Sequence, residues 1–172
     1  MHTAPVHSFS ISSELGAAPD VVWRHVTDMA GVNGELAPLL RMTVPPGLER
    51  ASLDQLPIGR RAGRSWLLLF GFLPVDFDDL TIAEIGPGHR FLERSRMLTQ
   101  SHWEHERTVT AIPGGCRVED RLSWRGRFVP LGALFRLAVP VLFHHRHTRL
   151  RRRFGVPSGR PPGTGPGLRL TP

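Results

Sequence analysis

The chain has 172 residues, 40% hydrophobic and 22% charged, with a formal net charge of +7. That fits one soluble globular domain with a core of its own. Every basic residue is arginine, there is no tyrosine, and Cys116 is the lone cysteine, which excludes an intrachain disulfide and fits a reducing cytoplasm. No basic segment followed by an apolar one opens the chain, so no signal peptide is expected.

Phe9 to Leu15 alternates Phe9, Ile11, Ser13 and Leu15 against Ser8, Ser10, Ser12 and Glu14, the pattern of a half-buried strand. Pro19-Asp20 opens a short amphipathic helix to Met29, with Val22, Val26 and Met29 on one face. Gly31 and Asn33-Gly34 are expected to break it, and a second short helix through Leu36 is expected to end near Pro38. Ser65 to Val75 is nearly all apolar and reads as a central strand. Asp79 to Ile85, Arg90 to Thr99, Trp103 to Ile112 and Arg117 to Arg127 follow at hairpin spacing, the mark of an antiparallel meander. Leu131 to Phe154 has helical periodicity, with Phe143, His147, Leu150 and Phe154 on one line. Pro140 should kink it or mark a junction, and Gly155 and Pro157 should end it. Residues 156–172, mostly Pro, Gly, Arg and Leu, read as a disordered tail.

One hairpin can be registered from sequence. Gly114-Gly115 suits a two-residue primed turn, pairing Pro113 with Cys116, Ala111 with Val118, Val109 with Asp120, Arg107 with Leu122 and His105 with Trp124. One face then carries Glu104, Glu106, Thr108 and Thr110 beside Arg117, Glu119, Arg121, Ser123 and Arg125, and belongs in water. The other carries Trp103, His105, Arg107, Val109, Val118, Asp120, Leu122 and Trp124 and points inward. Pairing across Gln100-Ser101-His102 would set Met97 beside His105 and Ser95 beside Arg107. Glu93 and Asp120 would then flank Arg107 diagonally, an acid–Arg–acid cluster that must be paired if it is buried.

The order of strand, two short helices, meander and long terminal helix resembles the START-like (SRPBCC, helix-grip) superfamily. Local strings resemble its bacterial branch: Ala18-Pro19-Asp20-Val21-Val22-Trp23, Phe91-Leu92-Glu93, Trp103-Glu104-His105-Glu106-Arg107, Glu119-Asp120-Arg121-Leu122, and His144 through Leu150. The resemblance covers residues 8–155. It implies an α+β domain in which a curved antiparallel sheet wraps the C-terminal helix around an apolar cavity. The superfamily mixes carriers with enzymes, so fold does not give activity.

Two functions follow as expectations. In the first, the domain carries a hydrophobic, ring-containing small molecule, lipid- or polyketide-like. Trp66, Leu68, Phe70, Phe72, Trp103, Val109 and Trp124 would line the cavity, and Glu93, His105, Arg107 and Asp120 would orient the ligand. In the second, a cyclase, aromatase or dehydratase uses His105 as proton shuttle, tuned by Asp120 or Glu93, with Arg107 on an enolate oxygen. For Glu93, Arg107 and Asp120, a purely structural ion-pair network with no ligand role weighs about as much as the two functional readings together. No metal is expected, because no three of His102, His105, His144, His145 and His147 converge by local spacing. No cofactor is expected, since phosphate-cradling glycine motifs are absent. The arginines at 146, 149 and 151–153 complement a helix C-terminus and do not call for nucleic acid. The run Phe128 to Phe143 is too short and interrupted to span a bilayer, although the arginine-rich helix could rest on a membrane surface. Monomer and homodimer both remain open.

Overall fold

A computed structural model describes residues 5–127 and 129–158, with backbone alone over 129–133. Strand β1 (His7–Leu15) buries Ile11, Ser13 and Leu15, the side its alternation selects. Helix α1 (Pro19–Thr27) starts with Pro19 in its first turn and Asp20 near its positive end, and buries Val22, Trp23, Val26 and Thr27.

Helix α2 (Met29–Leu36) is the second short helix expected through Leu36. It begins earlier than expected, so that Gly31, Asn33 and Gly34, expected to break the helix before it, lie inside it. Two features hold it helical against weak propensity. Asp28 caps it, its carboxylate accepting from the Ala30 and Gly31 amides at 3.1 and 3.2 Å. Met29, Val32 and Leu36 are buried on one side. Asn33 ties it to the next strand, accepting from Met42 N at 2.7 Å and donating to Met42 O at 2.9 Å.

β2 (Leu40–Met42), a short 3₁₀ turn at Leu53–Gln55, β3 (Arg61–Leu69) and β4 (Leu73–Gly86) follow. The apolar run expected as one strand from Ser65 to Val75 is therefore a hairpin that turns at Phe70-Gly71-Phe72. An all-apolar run hides its turn because no residue in it is polar enough to announce solvent. β5 (His89–Glu93) and β6 (Arg96–Met97) divide the strand expected from Arg90 to Thr99, β6 pairing with β4. β7 (Gln100–Ile112) and β8 (Gly115–Gly126) form the longest hairpin. The eight strands make one antiparallel sheet, seven of them in the order β1-β8-β7-β5-β4-β3-β2 and β6 off this path against β4.

The β7–β8 faces are as the alternation requires, but the register differs by two residues. Val109 pairs with Val118, Arg107 with Asp120, His105 with Leu122 and Trp103 with Trp124. The turn is Pro113-Gly114, not Gly114-Gly115. Gly114 has φ of 77° after a proline, the pattern of a type II turn. Gly115 is a glycine for a different reason: a Cβ there would sit 1.9 Å from the Leu15 carbonyl oxygen. On the other side of β7, Glu93 pairs with His105 and Phe91 with Arg107, replacing the expected Met97 and Ser95.

Helix α3 (Val129–Phe154) runs unbroken through Pro140 and packs on β1, β8 and α2. It ends at Gly155, whose amide donates to Arg151 O at 2.9 Å. The curved half-barrel, the two helices after β1 and the closing α3 are the START-like helix-grip fold. Val156–Ser158, expected within the tail, lie against the Gly16 and Gly114 backbones, with Pro157 buried. Residues 159–172, the rest of that expected tail, lie outside the described residues. Among the described residues, no helix is long and apolar enough to cross a membrane.

Candidate functional site

Between the concave sheet and α3 lies a cavity of about 510 Å³, the size of a small-molecule site. Its walls are Val26, Met29, Val32 and Leu36 from α1 and α2, Leu67, Leu69, Leu80 and Phe91 from the sheet, and Val139, Leu142 and Phe143 from α3. The mouth is ringed by exposed apolar residues: Phe70 and Val75 beside the β3–β4 turn, and Leu134 and Val141 on α3.

Polar groups enter this wall at Asp76, Asp78, Glu93, Gln100, His105 and Arg146. Behind them runs a buried network. Arg107 Nε and Nη2 donate to Asp120 Oδ1 and Oδ2 at 2.6 and 2.7 Å, and Nη1 donates to both Glu35 oxygens at 3.0 Å. Arg146 Nε donates to Glu35 Oε2 at 2.9 Å. The second acid of the acid–Arg–acid cluster is thus Glu35, brought by α2. Glu93, the expected one, instead accepts from Trp103 Nε1 at 3.2 Å and lies 3.6 Å from His105 Nδ1.

Asp120 is the hub. His105 Nε2 and His147 Nε2 each lie 2.8 Å from its oxygens. Burial alone would push its carboxyl up, but the Arg107 charge and the bonds from Arg107 and both histidines hold it well below the usual range. An ionised carboxylate only accepts, so both Nε2 atoms donate. Burial holds the His147 imidazole below its ordinary value and therefore neutral, leaving Nδ1 to accept from the Ser13 hydroxyl at 2.8 Å. Ser13 in turn accepts from Arg151 Nη1 at 2.7 Å. Ser13, His147 and Asp120 are connected like a nucleophilic triad, but none lines the cavity and the serine is occupied by Arg151. They form a structural brace between β1, β8 and α3.

His105 bridges that brace to the cavity. Its ring stands edge-on to Phe91 and Phe143, at centroid distances of 5.4 and 5.2 Å. Beyond it, burial and the neighbouring Glu93 charge push the Asp78 carboxyl well above the ordinary aspartate range. Burial also pushes Glu93 up, but the bond and charge of His105 outweigh it and leave Glu93 below its usual value.

A family described as a domain of unknown function, DUF8410, matches residues 13–154. The chain belongs to that family. No curated protein sequence matches it. Solved structures share its fold at low identity. A START superfamily protein from Mycobacterium smegmatis superposes with a TM-score of 0.61 at 11% identity, over 86% of this chain and 97% of that one. The Zhui aromatase/cyclase from a Streptomyces strain gives 0.57 at 12%, over 88% and 98%. Ara h 8.0201 gives 0.60 at 11%, over 87% and 97%.

Of the residues that sequence nominated in this DUF8410 domain, Phe70, Glu93, Trp103 and His105 line the cavity. Trp66, Leu68 and Phe72 do not: the β3 residues that line it are Leu67 and Leu69, and Trp66 and Phe72 are exposed. Arg107, Val109, Asp120 and Trp124 are inward and buried but sit behind the lining. The arginines expected as a solvated helix end are partly turned inward, Arg146 to Glu35 and Arg151 to Ser13. Glu35, Arg146, His147, Asp78 and Gln100 were not nominated. Inward parity on the last helix was the available signal for His147. For Glu35 there was none beyond the need of a buried arginine for more than one acid.

Proposed function

We propose that this DUF8410 domain binds a hydrophobic, ring-containing small molecule, lipid- or polyketide-like, as a carrier or binding protein. The supporting observation is the cavity itself: about 510 Å³ of mostly apolar wall, with exposed apolar residues among its lining and only a few polar side chains to orient a ligand. Flat aromatic edges from Phe91, Trp103 and Phe143 favour a ring over a plain chain. The buried, unpaired Cys116 supports a reducing compartment, the cytoplasm.

A cyclase or dehydratase using His105 and Asp120 is the alternative, and the direction of the imidazole weighs against it. A general base needs a ring nitrogen facing substrate. Nε2 of His105 faces Asp120 and Nδ1 faces Glu93. His105 is thus placed to present its ring to a ligand rather than to exchange a proton with it.

The test is titration with a neutral apolar fluorophore such as Nile red. Saturable one-to-one binding is expected, with loss of at least tenfold in affinity in Ala138→Trp, which fills the mouth from the exposed side of α3. Equal binding by both proteins would place the dye elsewhere and defeat the reading.

A further inference from the structure

The cavity wall contains polar atoms that the protein leaves unpaired. Among the described residues, Asp78 Oδ1, Gln100 Oε1 and Ser65 Oγ are buried without a hydrogen-bond partner. Asp78 and Gln100 are 4% and 2% exposed and line the cavity, and Ser65 is fully buried. Ser65 stands directly opposite Asp78 across β3 and β4. Buried acceptors are nearly always paired, because an unpaired one is destabilising. Apolar residues at these places would make a more stable empty domain.

The neighbouring acids are fully used. Asp76 accepts from the backbone amides of Phe77, Leu98 and Thr99 and from the Thr99 hydroxyl, so its task is to hold the β6–β7 connection. Glu93 is engaged by Trp103 and His105. Gln100 spends its Nε2 on Thr99 Oγ1 at 3.2 Å, leaving its oxygen free. The Asp78 carboxyl also meets Glu93 and Ser95, but its Oδ1 stays unpaired. The free acceptor atoms are therefore Asp78 Oδ1 and Gln100 Oε1, with Ser65 Oγ beside them.

We propose that Asp78 and Gln100, supported by Ser65, form a hydroxyl-recognition subsite, so that the ligand is an apolar ring compound carrying a neutral hydroxyl that donates into the cavity wall. This rests on the reading of the cavity as a ligand site. The donor is a hydroxyl rather than an ammonium because burial and the Glu93 charge keep the Asp78 carboxyl protonated more readily than usual. With its proton turned to Glu93, the carboxyl can still accept from a hydroxyl at its free Oδ1, whereas it offers a cation no charge of its own.

Three probes of one size separate the outcomes: naphthalene, 2-naphthol and 2-naphthylmethylamine, titrated at neutral pH against wild type, Gln100→Met and Asp78→Leu. Wild type should hold 2-naphthol at least roughly tenfold tighter than naphthalene, because a site built for a hydroxyl rejects the analogue lacking it. The preference should fall below about threefold in either variant, since each removes one acceptor. Gln100→Met should melt close to wild type, the relief of an unpaired buried oxygen offsetting the lost bond to Thr99, and it carries the test if Asp78→Leu does not fold. Equal affinity for naphthalene and 2-naphthol in wild type, or a preference that survives the variants, overturns the subsite and leaves the cavity reading standing. Tightest binding of the amine overturns the choice of a neutral donor. Failure of all three probes to bind contradicts the cavity reading itself.

Discussion

Arg107 and Asp120 face each other across β7 and β8 and join in a two-pronged bond, Nε to Oδ1 at 2.6 Å and Nη2 to Oδ2 at 2.7 Å, with both side chains fully buried. His105, His147 and Glu35 reach this pair directly, Arg146 reaches it through Glu35, and Ser13 through His147. Removing Asp120 would strip one acid from Arg107 and leave two histidine N–H groups unpaired. Asp120→Ala is expected to cost at least about 3–5 kcal/mol, measured by urea denaturation, because it uncovers a buried charge. A cost under 1 kcal/mol would show that Glu35 alone neutralises Arg107.

His105→Ala should separate stability from binding. The variant removes one of several partners of Asp120 and a ring in contact with Phe91 and Phe143. It is expected to cost about 1–3 kcal/mol, less than Asp120→Ala, and to weaken a ring-containing ligand by roughly tenfold through lost edge contacts. Unchanged affinity for a ligand shown to occupy the cavity would confine His105 to a structural part.

The pH dependence follows from His147. Its folded value lies below the ordinary one, so between that folded value and about 6.5 the unfolded chain binds more protons than the folded one. Its contribution to stability is thus complete above about pH 6.5 and is lost as pH falls through the folded value. His25, also lowered chiefly by burial, adds in the same direction. Asp120, held low, adds a further loss only below about pH 4. His147→Gln should flatten the decline in melting temperature between pH 7 and 5. An unaltered slope would assign it to other groups.

At the β1–β8 edge, Gly115→Ala is expected to cost about 3 kcal/mol, since backbone rather than a flexible side chain blocks the new methyl. Gly114→Ala would instead strain a positive φ and cost about 1 kcal/mol. Comparable melting temperatures for the two variants would refute the distinction between them.

The inward face of the β7–β8 hairpin was legible because its alternation is clean, and the two-residue error in register did not matter to it. A shift of two preserves which side each residue faces, so Asp120 stayed inward while its partner changed from Val109 to Arg107. The turn misled because Gly114-Gly115 looks like a primed turn, while the second glycine answers to the crowding of Leu15. Over 65–75 alternation carried no information, every residue being apolar or small, so Trp66 and Leu68 were chosen where Leu67 and Leu69 line the cavity. Glu35 was illegible although the short helix that carries it was expected through Leu36, because nothing in that helix marks which side meets the sheet's buried arginine. Its distance from Arg107 in sequence left no local pattern to read.

Native mass spectrometry of the domain isolated from its own host tests the central claim most directly. Wild-type protein should carry one apolar adduct per chain, released on denaturation and absent from Ala138→Trp isolated in parallel. An adduct retained equally by Ala138→Trp, or a wild type that carries none and takes up none from a hydrophobic extract of that host, would contradict it.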